Sequence, residues 1–112
     1  MIYRQAFKFR SMARVRVRYF GILREKVGKR EERVTIEDSA SLSELIDMLI
    51  KSHGEKFTEY AFDSDGHLKS GFAFAINGDS IRESELPRIK CKQVSEFVIL
   101  PPISGGAQIR QY

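Results

Sequence analysis

A chain of 112 residues, 42% apolar and 30% charged with a net charge of +4, has the composition of one ordinary globular domain with room for one core. No run approaches the roughly 18 apolar residues of a membrane span, and no apolar signal-peptide core follows the N-terminus. The single cysteine, Cys91, has no second thiol to pair with, so a reducing interior such as the cytoplasm is the expected location.

The charge is unevenly spread. Residues 1–30 carry ten Lys or Arg and one acid, residues 31–86 thirteen acids and five bases, and residues 87–112 four bases and one acid. A basic start points toward nucleic acid. Against that, Arg14, Arg16 and Arg18 alternate with Val15, Val17 and Tyr19, which is how the wet face of a half-buried strand reads. Neither nucleic acid nor a membrane is therefore an expected partner.

Residues 1–13 are basic and aromatic without a clean period. They read as an extension: a weak extra strand, a disordered arm or a short transit peptide. Met12 is a second candidate start. The first strand is predicted over Arg14–Phe20, broken by Gly21. Ile22–Val27 reads as about one helical turn ended by Gly28. Val34 and Ile36, two apart, predict a second strand over Glu32–Glu37, antiparallel to the first.

Ser41-Leu42-Ser43-Glu44 is a capping-box sequence. Leu42, Leu45, Ile46, Leu49 and Ile50 then follow the i, i+3, i+4, i+7, i+8 spacing of one apolar helical stripe, and Gly54 closes a helix predicted over Leu42–His53. The helix dipole is a sufficient reason for His53 in the last turn. Residues 55–71 are polar and read as irregular chain. Asp63-Ser64-Asp65-Gly66 lacks the later ligands of a calcium loop, since Phe72 stands where a Glu is needed, and reads as a turn.

Phe72–Ile76 is the third predicted strand. Asn77-Gly78 is a hairpin turn, and Asp79–Arg82 begins the return. Leu86 is a lone apolar anchor beside Pro87. Ser95–Leu100 is the last strand; being apolar on both faces, it suits a central place in the sheet. The predicted order is strand, strand, helix, strand, short strand, strand. That is an α+β fold, a mixed sheet with one main helix packed on one face. Leu45, Ile46 and Leu49 are expected to be buried with Val17, Ile76 and Ile99.

No catalytic constellation is legible. His53 and His67 have no cysteine or carboxylate pair at metal spacing, so no metal site is expected. Cys91 lies between lysines that can lower a thiol's pKa, but a structural thiol is the simpler reading. The chemistry-bearing stretch is the end of the chain. After Phe97-Val98-Ile99-Leu100, Pro101 and Pro102 stop the strand, and beyond Ile103 come Ser104, Gly105 and Gly106 with little or no side chain. On composition alone this reads first as an ordinary surface loop after a last strand, and alternatively as a stiff stalk whose glycines fit a narrow partner site where a Cβ would clash. Residues 101–112 are expected to be mobile, or ordered only by a neighbour.

Val15 to Glu25, Ser41 to Ile46, Ala75-Ile76-Asn77-Gly78 and Pro101 to Gly106 together resemble the MoaD/ThiS family of ubiquitin-like sulfur carriers, closest to the molybdopterin synthase small subunit. The resemblance implies a β-grasp fold over residues 14–106, flanked by extensions at 1–13 and 107–112. It implies no catalytic site and no bound cofactor. An adenylating, E1-like enzyme uses ATP and magnesium to activate the carboxylate of Gly106, and sulfur then replaces AMP to give a thiocarboxylate. Pro101, Pro102, Ile103, Ser104 and Gly105 form the partner-binding tail, received by the molybdopterin synthase large subunit. The turn before the last strand departs from the family's Gly-Asp, and Ala107 to Tyr112 follow Gly106. While they are attached Gly106 has no carboxylate, so cleavage by a processing metalloprotease is expected. A ubiquitin-like modifier joined to proteins through Gly106, and a β-grasp binding module without carrier activity, are the alternatives.

Overall fold

The structure, a computed structural model, describes residues 11–101. Strand β1 (Met12–Tyr19) alternates as predicted, with Ala13, Val15, Val17 and Tyr19 buried and the arginines outward. Helix α1 (Gly21–Val27) ends at Gly28, whose φ of 88° lets its N–H donate to the Arg24 carbonyl at 2.9 Å. Strand β2 (Glu31–Glu37) returns antiparallel to β1, placing Arg18 opposite Glu31 and Met12 opposite Glu37.

Helix α2 (Leu42–His53) begins on the capping box: the Glu44 amide donates to Ser41 Oγ at 3.2 Å, and the Ser41 amide donates to Glu44 Oε2 at 3.0 Å. Leu42, Leu45, Ile46 and Leu49 are buried, and Gly54, at φ 70°, terminates the helix. Helix α3 (Glu55–Ala61) follows at once, where the sequence reads as irregular chain. It buries only Phe57 and Ala61, four apart, and a single such pair is too weak a signal in a polar segment. Seven residues make no stable helix alone. Here the Phe57 ring packs edge-on against Tyr19 and Phe62, at 6.4 and 5.8 Å between centroids, and that contact holds the turn. Asp63 to Gly66 is a turn: Asp63 Oδ1 accepts from the amides of Asp65 and His67 at 2.9 and 3.0 Å.

Strands β3 (Ala73–Ile76) and β4 (Asp79–Ile81) flank Asn77 and Gly78, both at positive φ (49° and 92°), the two-residue turn that Asn-Gly predicts. The Asn77 side chain also ties the turn to the chain entering β5. Its Oδ1 accepts from the Ser95 and Glu96 amides at 2.9 and 3.1 Å, and its Nδ2 donates to the Gln93 carbonyl at 2.9 Å. Two 3₁₀ segments, Glu83–Arg88 and Cys91–Gln93, lead to β5 and bury Leu86 and Cys91. Strand β5 (Glu96–Leu100) takes the central place in the order β2-β1-β5-β3-β4, parallel to β1 and antiparallel to β3. Phe97 and Ile99 face the core under α2, and Val98, on the opposite face between Arg18 and Ala75, is buried as well, as a strand with a neighbour on each side allows.

The core lies between the sheet and α2, with Leu45, Ile46, Leu49, Val17, Phe97 and Ile99 buried together. Phe74 and Phe97 stack within it at 5.4 Å. Ile76 is half-buried rather than central, because it ends β3 beside the exposed turn.

Candidate functional site

The C-terminal end of β5 brings the chain to Pro101, beside the end of β1, where Tyr19 pairs with Ile99 in parallel register. Pro102, Ile103, Ser104, Gly105 and Gly106 lie outside the described residues. Pro101 corrects the expectation that the stalk begins there: it is buried, packed onto Gly21. Gly21 has φ 59°, and a Cβ built on it would lie 3.0 Å from Pro101 Cγ. The bare backbone of Gly21 is therefore the floor on which the proline ring rests. The neighbouring Phe20 ring has the Arg18 and Arg24 guanidiniums over it at 5.1 and 5.7 Å, and Arg24 Nε donates to the Tyr19 carbonyl at 3.3 Å.

The face of the sheet away from α2 carries Arg14, Arg16, Arg18 and Arg33, beside Val98, Leu100, Ala73 and Ala75 on the central strands. Arg18 Nη1 donates to Glu96 Oε2 at 3.1 Å, with Arg16 Nη1 at 3.5 Å from the same oxygen. Glu31 lies 3.9 and 4.0 Å from Arg16 and Arg18. These part-exposed pairs order the arginines along the strand but add little to stability.

A second polar cluster lies on the other side, and sequence reasoning missed it. Tyr19 donates its phenolic proton to Glu32 Oε2 at 2.5 Å. His53 Nε2 stands 2.6 Å from the same oxygen, and Lys29 Nζ is 3.6 Å from Glu32 Oε1. Burial pushes the Glu32 carboxyl upward, but the Tyr19 and His53 hydrogen bonds and the charges of His53 and Lys29 outweigh it and hold the carboxyl below its ordinary range. Burial raises the Tyr19 phenol, with Glu32 adding to the effect. The signal was present in β2: Glu32, Val34 and Ile36 share one face, so Glu32 points inward, diagonal to Tyr19 across the Val17–Glu32 pair. This cluster joins β1, β2 and the last turn of α2, a stronger reason for His53 than the helix dipole alone.

Cys91 is fully buried, and its Sγ donates to the Ser41 carbonyl at 3.5 Å. Burial, with Glu44 nearby, pushes its thiol up to about 11, so the flanking lysines do not activate it. His67 is exposed beside Glu83, with Nδ1 to Oε2 at 3.3 Å. Among the described residues no group of His, Cys, Asp and Glu is gathered to hold a metal ion, and no helix is long and apolar enough to cross a membrane.

A five-stranded mixed sheet in this order, with its main helix on one face and its central strand leading into the C-terminal residues, defines a β-grasp, ubiquitin-like protein. The sequence model of the ThiS family matches residues 17–106, and the chain belongs to that family, the ubiquitin-like sulfur carriers of the MoaD/ThiS type. It is 29% identical over 92 residues to the molybdopterin synthase sulfur carrier subunit of Chlamydomonas reinhardtii, covering 82% of this chain and 98% of that protein. Its fold is similar to small archaeal modifier protein 1 of Haloferax volcanii, with a TM-score of 0.71 and 26% identity over 83% of this chain and 99% of that one. The same protein from Methanosarcina acetivorans gives a TM-score of 0.64 and 28% identity over 86% and 99%.

Proposed function

We propose that the chain is the sulfur carrier of molybdopterin synthesis, bearing sulfur as a thiocarboxylate on Gly106 and delivering it to a pterin-sulfurating large subunit. The observation that supports this most is the pairing of the family match, which runs to residue 106, with Pro101-Pro102-Ile103-Ser104-Gly105-Gly106 directly after the central strand. The relative in Chlamydomonas reinhardtii points to the molybdopterin pathway.

The chemistry follows from the end group. Carboxylate oxygen is a poor leaving group. Attack of the Gly106 carboxylate on the α-phosphate of ATP expels pyrophosphate and leaves an acyl adenylate, whose AMP departs readily. A sulfide-level nucleophile then displaces AMP at the acyl carbon, giving the thiocarboxylate. ATP and magnesium belong to the E1-like partner; this chain contributes the peptide. Glycine at both final positions lets the backbone approach the reacting centre, and the prolines reduce the entropy lost when the tail is ordered.

The reading requires cleavage between Gly106 and Ala107, since an internal Gly106 presents only an amide carbonyl. A chain ending at Gly106 keeps every described element of the fold. Incubated with its activating enzyme, ATP and a sulfur source, it is expected to gain the mass difference between sulfur and oxygen, while the 112-residue chain stays unchanged. Gly106→Leu in the shorter chain should stop the reaction and leave the fold intact. An inert shorter chain, with an enzyme shown to bind it, overturns the reading. The similarity to small archaeal modifier protein 1 favours a second one, conjugation of Gly106 to lysines of other proteins; isopeptide-linked adducts in the native cell would select it.

A further inference from the structure

We propose that Gly21 is a positioning residue for the tail: its bare backbone is the seat that holds the Pro101 ring, and so sets the direction in which the carrier peptide starts out. The inference rests on the carrier reading for its consequence but not for its geometry. Three observations meet at this point. Pro101 is buried although it follows the last strand residue and stands at the root of a Gly-rich tail. The place a Gly21 Cβ would occupy is 3.0 Å from Pro101 Cγ, tighter than ordinary carbon–carbon contact. And Gly21 is at φ 59°, a conformation that costs an L-residue energy, so the backbone itself is turned to present this bare surface.

The surroundings make the seat rigid. Tyr19, two residues before Gly21, is fully buried and paired with Ile99, two residues before Pro101. Arg24 reaches back from α1 to the Tyr19 carbonyl, and Phe20 lies beneath two guanidiniums. Gly21 and Pro101 are thus carried on parallel neighbours whose register is set by the core. Proline has one fixed torsion of its own. With its ring seated, residue 101 has little freedom left, and the tail starts from a defined atom position and bond direction. A tail that must thread into a partner's active site depends on that direction, because a misplacement of about 1 Å at a reacting centre can cost up to about 100-fold in rate.

A side chain at Gly21 has two effects, backbone strain and displacement of Pro101, and the chain contains its own control. Gly28, at the other end of α1, is at φ 88° with nothing within 4 Å of the Cβ position. Gly28→Ala introduces the strain without the displacement. In the chain ending at Gly106, Gly21→Ala is expected to lower the turnover of adenylation by about tenfold, a fraction of that limit, with the half-saturating carrier concentration little changed. Gly28→Ala should leave turnover within about twofold while losing similar thermal stability. In a Pro101→Ala background, which has no Cγ to displace, Gly21→Ala should lose most of its effect.

The seat is read independently of activity by NMR on the full 112-residue chain. A nuclear Overhauser contact between the Gly21 Hα and Pro101 Hγ protons is expected. The Cα–Hα dipolar coupling of Pro101 should change in Gly21→Ala and not in Gly28→Ala. Absence of that contact, equal turnover losses in the two glycine variants, or an undiminished Gly21→Ala effect without the proline ring each overturns the proposal. If the chain ending at Gly106, with no substitution, forms no adenylate at all, the carrier reading fails, and the NMR result still decides whether Gly21 seats the root of the tail.

Discussion

Tyr19→Phe isolates one hydroxyl in a fully buried ring, and its cost can be worked from the cluster it joins. The phenylalanine ring keeps the edge contacts to Phe57 and His53 and opens no apolar cavity. What is lost is the proton donated at 2.5 Å to Glu32. A hydrogen bond to a charged group contributes about 1.5–3 kcal/mol. Glu32 retains His53 at 2.6 Å and Lys29 at 3.6 Å, so the carboxylate is not left bare and the lower end applies, about 1.5 kcal/mol. For a domain of this size that is a fall in melting temperature of about 6 °C. The loss should depend on pH. The Glu32 carboxyl is held below its ordinary range in the folded protein, so its contribution is complete above the unfolded value of about 4.3 and fades as pH falls through the folded value. The stability difference between the unaltered protein and the Tyr19→Phe variant should therefore shrink in acid. Urea unfolding followed by circular dichroism, at pH 7 and in steps down to about pH 3, measures both. A cost under about 0.3 kcal/mol at neutral pH, or one that holds constant into acid, would refute the assignment of Glu32 as the charged acceptor.

Three further outcomes are expected. Leu49→Ala, which empties a buried position of the α2 stripe, should cost about 2–5 kcal/mol in the same unfolding assay; a loss typical of surface sites, under about 0.5 kcal/mol, would place the core on another face. Ser41→Ala removes one half of the capping box and should cost about 1 kcal/mol, visible as a lower urea midpoint with unchanged slope. Cys91 should resist alkylation at pH 8 in the folded protein and react readily in denaturant, because its thiol is buried and its pKa is pushed up to about 11; rapid labelling of the native chain would show that the segment Cys91–Gln93 opens.

The local rules written into this chain determined a great deal. Alternation in β1, the capping box and stripe of α2, and the Asn77-Gly78 turn each depend on neighbours a few residues away, and each appears where the sequence places it. The apolar run of β5 also announced its central position, since a strand with a neighbour on each side can be apolar on both faces. The stretch Pro102 to Gly106 was legible as a motif alone, and it lies outside the described residues. Tertiary contact decided the remainder. Helix α3 has too short and too polar a sequence to declare itself, and forms because Phe57 finds Tyr19 and Phe62. Glu32 and His53 stand 13 and 34 residues beyond Tyr19, and only the β1–β2 register and the docking of α2 join the three around one carboxylate oxygen. Pro101 reads in sequence as the start of a free stalk. It is buried because a parallel neighbour, fixed by core packing between Tyr19 and Ile99, brings a glycine with no side chain against its ring. Sequence patterns report local periodicity; a contact between residues 80 positions apart, Gly21 and Pro101, exists only once the sheet has closed.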